Sequence, residues 1–533
     1  MSRGLSSLAP IVLVLILAAG LRLCSLDSPI GGFHAYNEAH YVLLAKNFFA
    51  RSLLEPTADG EHVFLETPPL YPYLVHAVFR LAGVSVLAAR GVSVASSIAL
   101  VLATFFLGRR LFGASAGLAA ALLLAVSPVA VLTGRNIQTD STFLLFLVLA
   151  LHWYHRVAMD AAGASLETPE RERASRLAGL FAGLALFTKL FAGVALLGVL
   201  LWEVATRGAR GWLRDRSRWR AAAIAAVLPG AYYGYHALRD PAHVAREVAG
   251  GAAAATTFPA GSADWVALST EAVWAFSPVV FVALALGVAT ALRRPSRDAL
   301  FALAPAAAFA VFYLLVHKHS YYLLTLLPFL ALLGGRFLAG LCSRALRITA
   351  LALVLASGSL ASALAIASMK IGHEEFARFG ETAAALPGAA HHLIVTRTLE
   401  EAYGPVLRYF DPRARLITIE DAATDADGRV RLPAEDLYIV SFIPAGEVPP
   451  EEGWRFTRTR HGVALFGRSL VDEHPNPHFF RPGRLRVARA GAGAAPLGFD
   501  RVDSASVLAL IPFPAGFELR RGASGTILVP KPE

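Results

Sequence analysis

Charge is scarce in this chain, and so are cysteine and methionine. Of its 533 residues only 17% are charged, while 56% are hydrophobic, and the mean hydropathy is +0.53. A composition this apolar excludes an ordinary soluble protein and indicates a protein that crosses the membrane several times. The two cysteines, Cys24 and Cys342, lie at the ends of apolar segments that we expect on opposite sides of the bilayer, so no disulfide framework is predicted.

Positive charge exceeds negative charge, and the formal net charge is +10. The arginines lie in short connections between apolar segments, where basic residues act as signals of membrane orientation. We therefore do not expect nucleic acid as a partner. The N-terminus resembles a signal peptide, but Arg22 follows the apolar run and no small-residue cleavage pattern is present, which predicts an uncleaved first helix.

The apolar segments have the length of membrane-spanning helices. A helix needs roughly 20 apolar residues to cross about 30 Å of hydrocarbon. Such segments lie near residues 8–24, 88–107, 115–134, 139–157, 219–236, 274–292, 299–316, 321–341 and 346–368. Residues 176–206 are long enough for two helices, which we divide at Lys189. The sequence thus predicts an all-α polytopic membrane domain of about eleven transmembrane helices.

The basic connections alternate along the chain with connections that carry little charge. The arginine-rich connections are 108–115, 155–176, 206–220, 292–298 and 342–347. The others carry one basic residue each, Arg135, Lys189 and Lys318. By the positive-inside rule, the arginine-rich connections and the N-terminus are cytoplasmic and the sparse ones are external. We therefore expect a multi-pass protein of the inner or plasma membrane.

Two parts of the chain are predicted outside the membrane. The first external loop, 27–87, contains two stretches, 36–53 and 63–81, that are typical of helices lying in the interface plane. After residue 371 the sequence becomes charged and rich in proline and turn residues. We predict a membrane domain at 1–371 followed by a small external α/β domain at 372–533, either periplasmic or extracellular.

Short apolar runs give the secondary structure expected in the second domain. They predict strands at 392–397, 415–420, 437–442, 463–468, 507–513 and 526–531, with a helix at 399–410. No catalytic constellation is recognisable in this domain, so the functional residues are expected in the membrane domain.

Several ionisable side chains gather on the predicted external face. They are Glu38, Glu66, Asp140, Lys189, His317, Lys318 and His319. A charge near the bilayer costs several kcal/mol unless it faces water or a partner, so the group indicates a polar cavity that opens outward. Any single member could instead be an interfacial charge or a helix cap, and Asp140 at the start of an apolar helix suits an N-cap.

Four short motifs occur in the order and spacing of a known family. They are 37-NE-38 within YNEAHYVLLAKN, 66-ETPPLY-71, Arg135 with Thr139-Asp140 and Thr188-Lys189, and Lys318 with Tyr322-Leu323-Leu324 and Pro328. Through them residues 8–341 resemble the polytopic C-type (GT-C) membrane glycosyltransferases. The similarity is to the branch of protein O-mannosyltransferases and lipid A aminoarabinose transferases.

The resemblance implies a GT-C-like fold and inverting transfer of a sugar from a polyprenyl-phosphate donor. The acceptor would be a glycan, lipid or protein of the cell envelope, reached from the external face of the membrane. Such a reaction needs a carboxylate base and a cationic phosphate cradle. Glu38 and Asp140 are the candidate bases, and we favour Glu38. Asn37 replaces the first Asp of the family's pair, and its amide orients a hydroxyl without taking its proton.

The resemblance also implies which residues bind the donor. The expected phosphate-binding or sugar-binding side chains are Arg135, Lys189, Lys318, His319 and Tyr322. Tyr322 taken alone would equally suit an aromatic belt at the membrane surface. No cofactor is required, and a divalent metal is an open alternative with Glu66 and His317 as candidate ligands, although their spacing matches no closed zinc motif.

Two other functions stay open at this stage. A transporter or flippase of polyprenyl-linked lipids is expected to have charges near the midplane and inverted repeats, whereas no internal repeat is apparent here. A catalytically inactive, glycan-binding homologue is the other alternative, because Asn37 replaces an acidic residue. The clustering of polar residues on one rim favours the enzyme.

Overall fold

The computed structural model of the protein describes most of the chain. The described residues are 9–28, 30, 35–60, 62–159, 168–247, 272–315, 320–385, 388, 390–395, 397–418, 421–433, 437–444, 464–465, 468–469, 484–485, 499–500, 506–512, 517–522 and 525–530. The chain divides into two compact units, one formed by Met1–Leu26 with Leu44–Ile366 and the other by Asp27–Leu43 with Ala367–Glu533.

Helices dominate the described residues before residue 386. In chain order they are α1 (Ala9–Leu23), α2 (Ala35–Asn47), α3 (Leu70–Ala82), α4 (Val86–Phe112), α5 (Ala114–Val126), α6 (Pro128–Arg135), α7 (Asp140–Met159), α8 (Pro169–Thr188), α9 (Ala192–Arg207), α10 (Ala209–Leu213), α11 (Arg216–Arg239), α12 (Pro278–Arg293), α13 (Arg297–Leu315), α14 (Leu323–Ala339) and α15 (Arg344–Ala385). A single 3-10 turn, Ser320–Tyr322, precedes α14, and residues 241–247 are also helical.

Several of these helices are apolar enough to cross a membrane. By length and composition, four helices among the described residues qualify, or five if α5 and α6 form one bent span. The four are Val86–Phe112, Asp140–Met159, Arg297–Leu314 and Arg344–Ala367. The shorter helices α1, α12 and α14 are also apolar. The number of about eleven crossings therefore stays a prediction.

One predicted crossing, 115–134, is not a single straight helix. It is divided into α5 and α6, which meet at an angle of 64°. The break falls at Ser127 and Pro128, because proline lacks the N–H of the helical ladder and its ring displaces the preceding turn. The Ser127 hydroxyl donates a hydrogen bond to the carbonyl of Leu123 at 2.7 Å, which occupies one of the carbonyls at the end of α5.

A buried arginine from α1 stabilises this break. The guanidinium of Arg22 donates to the carbonyl of Ala125 in α5 at 3.1 Å and to that of Ala130 in α6 at 3.3 Å. It also donates to the hydroxyl of Ser97 at 2.7 Å, and its side chain is fully buried. Since carbonyls at a broken helix otherwise lack partners in an apolar environment, Arg22 supplies the missing donors.

The division of residues 176–206 at Lys189 is confirmed. The chain leaves α8 after Thr188 and enters α9 at Ala192. Lys189 has an extended backbone at this point, with φ −158° and ψ 122°. A charged residue between two apolar helices therefore marks a real end of a helix.

Close contacts between helices fix the arrangement of the first unit. The helix α8 packs against α7 and α11, and α14 packs against α5 and α12. A Cβ atom on Gly287 would lie 2.4 Å from the backbone nitrogen of Gly334, and one on Gly179 would lie 2.6 Å from the carbonyl oxygen of Ala221. Small residues thus let α12 and α14, and α8 and α11, approach backbone to backbone.

The second unit contains an α/β sheet of the kind predicted for residues 372–533. Its strands are β1 (His391–Val395), β2 (Ala414–Thr418), β3 (Leu437–Pro444), β4 (Ala464–Leu465), β5 (Arg468–Ser469), β6 (Arg484–Leu485), β7 (Phe499–Asp500), β8 (Ser506–Pro512), β9 (Phe517–Gly522) and β10 (Gly525–Pro530). The main sheet has the order β2-β1-β3-β8. In it β1 is parallel to β2 and β3, and β8 is antiparallel to β3. The helix α16 (Arg397–Phe410) connects β1 to β2 and packs on β2.

Two details of this unit differ from the sequence prediction. The single strand expected at 463–468 is a pair of two-residue strands, β4 and β5, that run antiparallel to each other. The hairpin of β9 and β10 was predicted only in its second strand. The charged run 518-ELRR-521 within β9 hides the apolar alternation that identifies a strand from sequence.

Candidate active site

Asp140 lies at the start of a helix, in a connection that brings it into the interior of the first unit. The backbone leaves α6 at Arg135 and begins α7 at Asp140, and the Thr139 carbonyl accepts from the backbone N–H groups of Thr142 and Phe143. The Asp140 residue is 3% exposed. The positive end of the helix dipole favours a carboxylate in this first turn, which suits the position of Asp140.

Lys189 is the partner of Asp140. Its Nζ donates to Asp140 Oδ1 at 2.9 Å, and the two side chains are 18% and 5% exposed. No pattern in the sequence indicates that these residues, 49 positions apart, form an ion pair. The pair joins the end of α8 to the beginning of α7, and it places a cation and a carboxylate in one partly buried site.

Aromatic rings surround the ammonium of Lys189. Its Nζ lies 5.7 Å from the ring centre of Phe143, 5.4 Å from Phe191 and 5.9 Å from Tyr322. A cation over aromatic faces is attracted by their negative π surface, more strongly where water is excluded. Tyr322, Lys189 and Asp140, which come from distant parts of the sequence, therefore lie close together.

Tyr313 supports Tyr322 from behind. The two rings stack at 5.5 Å with an angle of 4° between their planes. The Tyr313 hydroxyl lies 2.5 Å from the hydroxyl of Thr325. These contacts fix the ring of Tyr322 against the lysine, and sequence reasoning missed both Tyr313 and Thr325. In the sequence, Tyr313 and Thr325 are marked only by their positions, four residues before and three residues after the polar segment 317–322.

Arg135 forms hydrogen bonds with the backbone just after α1. Its Nη2 donates to the carbonyl of Cys24 at 2.5 Å and to that of Ser25 at 2.8 Å. The residue is 5% exposed. Ser25 has a left-handed backbone with φ 51°, so the chain turns sharply after α1. Arg135 therefore stabilises the end of α1.

Glu66 follows a stretch, residues 63–65, that is hydrogen-bonded to α11 and to the segment after it. The backbone N–H of Leu65 donates to Glu247 Oε2 at 3.4 Å, and the Tyr233 hydroxyl donates to the Leu65 carbonyl at 3.0 Å. His243 Nε2 lies 2.9 Å from the carbonyl oxygen of Val63. Desolvation by the surrounding protein, and then the negative charge of Glu247, raise the pKa of Glu66 although part of the residue stays exposed.

Asn37 and Glu38 lie in the first turn of α2 and belong to the second unit. Glu38 is fully buried and Asn37 is half-buried. One turn further on, His40 stacks on Tyr36 at 5.7 Å with an angle of 9° between the rings. The predicted helix in 36–53 is confirmed over its first two-thirds, since α2 ends at Asn47.

The remaining predicted residues, His317, Lys318 and His319, lie outside the described residues. Their proposed contacts with phosphate or metal stay predictions. Within the part of the chain that the structure describes, no group of three or more His, Cys, Asp and Glu residues could hold a metal ion. Glu66 with His317 therefore remains an untested pair of candidate ligands.

Comparisons with known proteins fit this arrangement of helices. Residues 66–233 match the family model described as dolichyl-phosphate-mannose-protein mannosyltransferase. That segment contains Glu66, Arg135, Asp140 and Lys189. No curated protein matches the chain in a search by sequence.

Solved structures of membrane glycosyltransferases share the fold. ArnT from Cupriavidus metallidurans bound to undecaprenyl phosphate matches with a TM-score of 0.64 and 17% identity, covering 78% of this chain and 87% of ArnT. The apo form of the same protein matches with a TM-score of 0.59 and 15% identity over 78% of this chain and 86% of its own. The archaeal oligosaccharyltransferase AglB from Archaeoglobus fulgidus, in complex with an inhibitory peptide and a dolichol-phosphate, matches with a TM-score of 0.54 and 14% identity over 83% and 70%. The chain therefore has the fold of the C-type membrane glycosyltransferases, and the resemblance to their ArnT and protein O-mannosyltransferase type, predicted from four motifs, is confirmed.

Proposed function

We propose that this protein is an integral-membrane inverting glycosyltransferase. It takes a sugar from a polyprenyl-phosphate donor and transfers it to a glycan, lipid or protein acceptor of the cell envelope at the external face. The observation that carries the proposal is the partly buried pair of Asp140 and Lys189 beneath Tyr322, at the start of α7 and just after the end of α8. Two proteins of the same fold are described with undecaprenyl phosphate and with a dolichol-phosphate.

Lys189 is suited to hold the donor phosphate. An ammonium has three N–H donors, and the hydrogen bond to Asp140 occupies one of them. Its positive charge attracts a phosphate oxygen that approaches the same site. Asp140 offsets the cost of burying Lys189 before the donor arrives, and a phosphate dianion is stabilised by the same cation while it forms.

The reaction requires one proton transfer and one substitution at carbon. A carboxylate takes the proton of the acceptor hydroxyl, and the oxygen attacks the sugar C1 on the face opposite to the phosphate. The bond between C1 and the phosphate oxygen breaks, and its electron pair leaves with the polyprenyl phosphate. The configuration at C1 is inverted, and the negative charge that develops on the phosphate is held by Lys189 and, as the sequence predicts, by Lys318.

Glu38 and Asp140 have different roles in this proposal. Asp140 is engaged with Lys189, which suits a residue that positions the phosphate-binding cation. Glu38 is buried, in the first turn of α2, and it carries the acidic position of the family motif, so we assign the proton transfer to it. Arg135 acts mainly as a positioning residue, because its Nη2 is bound to carbonyls after α1.

Transfer of a radiolabelled sugar from a polyprenyl-phosphate donor, measured with the full chain in detergent, tests the proposal. We expect Glu38→Gln and Lys189→Met to lower turnover by about 100-fold or more, the range of acid-base and electrostatic contributions. Asp298→Asn is the matched control. Asp298 also pairs with a basic side chain, His155, at 2.8 Å, and lies at the start of α13, where the sequence predicts the cytoplasmic end.

Formation of labelled product separates the enzyme from the other functions left open. A flippase gives no labelled product in detergent, and neither does an inactive glycan-binding homologue. If transfer occurs but Glu38→Gln and Lys189→Met each reduce it only a few fold, the assignment of these residues is wrong. If Asp298→Asn reduces transfer equally, the losses reflect stability rather than chemistry.

A further inference from the structure

An apolar cavity lies within the first unit, between α7, α8, α9 and α11. Its volume is about 340 Å³. The walls are small or aliphatic side chains, among them Ala150, Ala178, Ala182, Leu196, Leu200 and Ala225. This volume falls in the range of small-ligand sites. Tyr154, Trp212 and Arg218 also line the cavity, but most of its wall offers no hydrogen-bonding group, which suits a hydrocarbon chain.

The cavity is separate from the candidate active site. On α7, Ala150 and Tyr154 come 10 and 14 residues after Asp140, which corresponds to about 15–20 Å along a helix at 1.5 Å per residue. On α8, Ala178 lies 11 residues before Lys189, again about 15 Å away along the axis. The nearest wall residue of α8, Ala182, is seven residues from Lys189, about 10 Å along the helix, so the cavity begins beyond the Asp140 and Lys189 pair and extends away from it.

The acidic side chains at the far end of the cavity are already neutralised. Arg218, which lines the cavity, donates to both carboxylate oxygens of Glu203 and pairs with Asp215. Asp215 also pairs with Arg171 from α8, and Glu203 accepts a hydrogen bond from the Tyr154 hydroxyl. This network leaves the acidic groups of the region with cationic partners.

The neighbouring segment carries excess positive charge. Residues 206–220 contain six arginines and one aspartate. Of these arginines, Arg210, Arg214 and Arg216 are exposed. Trp212, which lines the cavity, contacts Trp219 with their ring centres 5.4 Å apart. Tryptophans beside exposed arginines are typical of the headgroup level of a membrane.

We propose that this cavity binds an acyl chain of an anionic membrane glycerophospholipid. The headgroup phosphate lies over Arg210, Arg214 and Arg216, and the chain enters between α8, α9 and α11. Apolar walls that end at a cationic rim match such a lipid in both of its parts, whereas a zwitterionic lipid gains less from the rim because its own cation offsets the charge of its phosphate. The bound lipid is distinct from the sugar donor of the proposed function.

Native mass spectrometry of the full chain in mild detergent tests this site. The protein is offered equal amounts of phosphatidylglycerol and phosphatidylcholine, and we expect one phosphatidylglycerol per chain to be retained at least fivefold over phosphatidylcholine. Ala222→Phe should lower this retention at least fivefold, because Ala222 lines the cavity and is exposed, so the ring enters the space without displacing backbone. Ala223→Phe is the matched control, one residue away on α11, exposed and not part of the wall.

The headgroup contact is tested separately. Arg214→Gln with Arg216→Gln should abolish the preference for phosphatidylglycerol, while Arg293→Gln with Arg294→Gln, which removes two exposed arginines elsewhere, should keep it. Equal retention of the two lipids by the unaltered protein, or equal retention by the Ala222→Phe and Ala223→Phe variants, would overturn the proposal. So would a retained lipid that proves to be a polyprenyl phosphate. None of these results depends on sugar transfer, so the site stands or fails independently of the proposed function.

Discussion

The candidate site depends on Asp140 and Lys189. Substitutions can separate the contributions of their two charges to the free energy of unfolding. Replacing Lys189 by Met leaves Asp140 as a buried carboxylate without its cation. Removing one partner of a buried pair costs about 3–5 kcal/mol, and the 18% exposure of Lys189 places this case near the lower end. We expect Lys189→Met to lower the midpoint of thermal unfolding in detergent.

The double variant Asp140→Asn with Lys189→Met is the informative companion. It removes the unpaired charge, so it should unfold at a higher temperature than Lys189→Met alone, although neither variant transfers sugar. If the double variant is no more stable than the single one, Asp140 and Lys189 do not interact as an ion pair in the folded protein.

Glu66 should make stability depend on pH. Desolvation and Glu247 raise its pKa above the usual value of 4.5, so the folded protein holds this proton more tightly than the unfolded chain does. The contribution of Glu66 is therefore most favourable below about pH 4.5 and is lost as the pH rises through the raised pKa. Glu66→Gln should show a smaller loss of melting temperature between about pH 4.5 and pH 7 than the unaltered protein.

An exposed carboxylate of the same loop serves as the control. Glu55 pairs with Arg239 at 3.3 Å and its side chain is 41% exposed, so Glu55→Gln is a matched change of charge that should leave the effect of Glu66 in place. A Glu66→Gln protein whose melting temperature falls with pH as steeply as that of the unaltered protein would show that another group is responsible.

A substitution at Asn37 tests whether catalysis in this chain needs the first acidic residue of the family's motif. If Glu38 takes the acceptor proton, Asn37→Asp adds a second carboxylate that the reaction does not need, and we expect turnover to change by less than about tenfold. The measurement is sugar transfer from a polyprenyl-phosphate donor. A gain well above tenfold would mean that Asn37 impairs the enzyme and that the base is normally supplied from this position.

At the residue scale the sequence predicted the types of residue in the site but not their contacts. Asp140 and Lys189 were singled out because charges are costly at a membrane border, yet nothing in the sequence shows that they pair. In the sequence, Arg22 stands out only as a residue after an apolar run. Its role at the break between α5 and α6 depends on carbonyls more than 100 positions away, which no local pattern reports.

Among the elements, the contact between α8 and α11 is the most demanding. A Cβ on Gly179 would lie 2.6 Å from the carbonyl oxygen of Ala221, closer than atoms can approach. Gly179→Ala must therefore push the two helices apart, and overpacking of this kind costs about 1–3 kcal/mol. We expect a lower midpoint of thermal unfolding in detergent.

Gly230 on α11 is the matched control for this change. A Cβ there meets nothing within 4 Å, so Gly230→Ala should be neutral, or stabilising by up to about 1 kcal/mol through helix propensity. Equal effects of the two substitutions would show that α8 and α11 are not in backbone contact at Gly179.

Helix ends were predictable where the sequence changed character and not where it stayed apolar. The end of α8 was predicted because Lys189 interrupts the apolar run. The break before α6 was missed because residues 115–134 are apolar on both sides of Pro128. A proline within an apolar run allows either a kinked helix or a break, and only tertiary partners such as Arg22 decide between them.

For the whole molecule, the sequence predicted the C-type fold through four motifs, and the structural likeness confirms it. The count of crossings stays a prediction, since helices such as α9 are too short to be identified as spans by length alone. The division at residue 371 stays a prediction as well. The sidedness of the membrane stays a prediction as well. It rests on the alternation of arginine-rich connections, and helix packing looks the same from either side.

The two native cysteines can test this sidedness without any engineered label. Cys24 and Cys342 are both exposed. Positive-inside counting predicts that Cys24, after α1, faces the external side and that Cys342, before α15, faces the cytoplasm. A membrane-impermeant maleimide applied to intact cells should therefore label the Cys342→Ser variant, which keeps Cys24, and should not label the Cys24→Ser variant until the cells are lysed.

The side of the membrane on which Cys342 lies also bears on residues 372–533. The helix α15 begins two residues after Cys342, and its first part, Arg344–Ala367, is long and apolar enough to cross a membrane. If Cys342 is cytoplasmic, one crossing by α15 delivers residues 372–533 to the external side, where the proposed acceptor is found. Labelling of Cys342 in intact cells would show that the topology is the opposite one. Asp140 and Lys189 would then belong to the cytoplasmic side, and sugar transfer at the external face would be excluded.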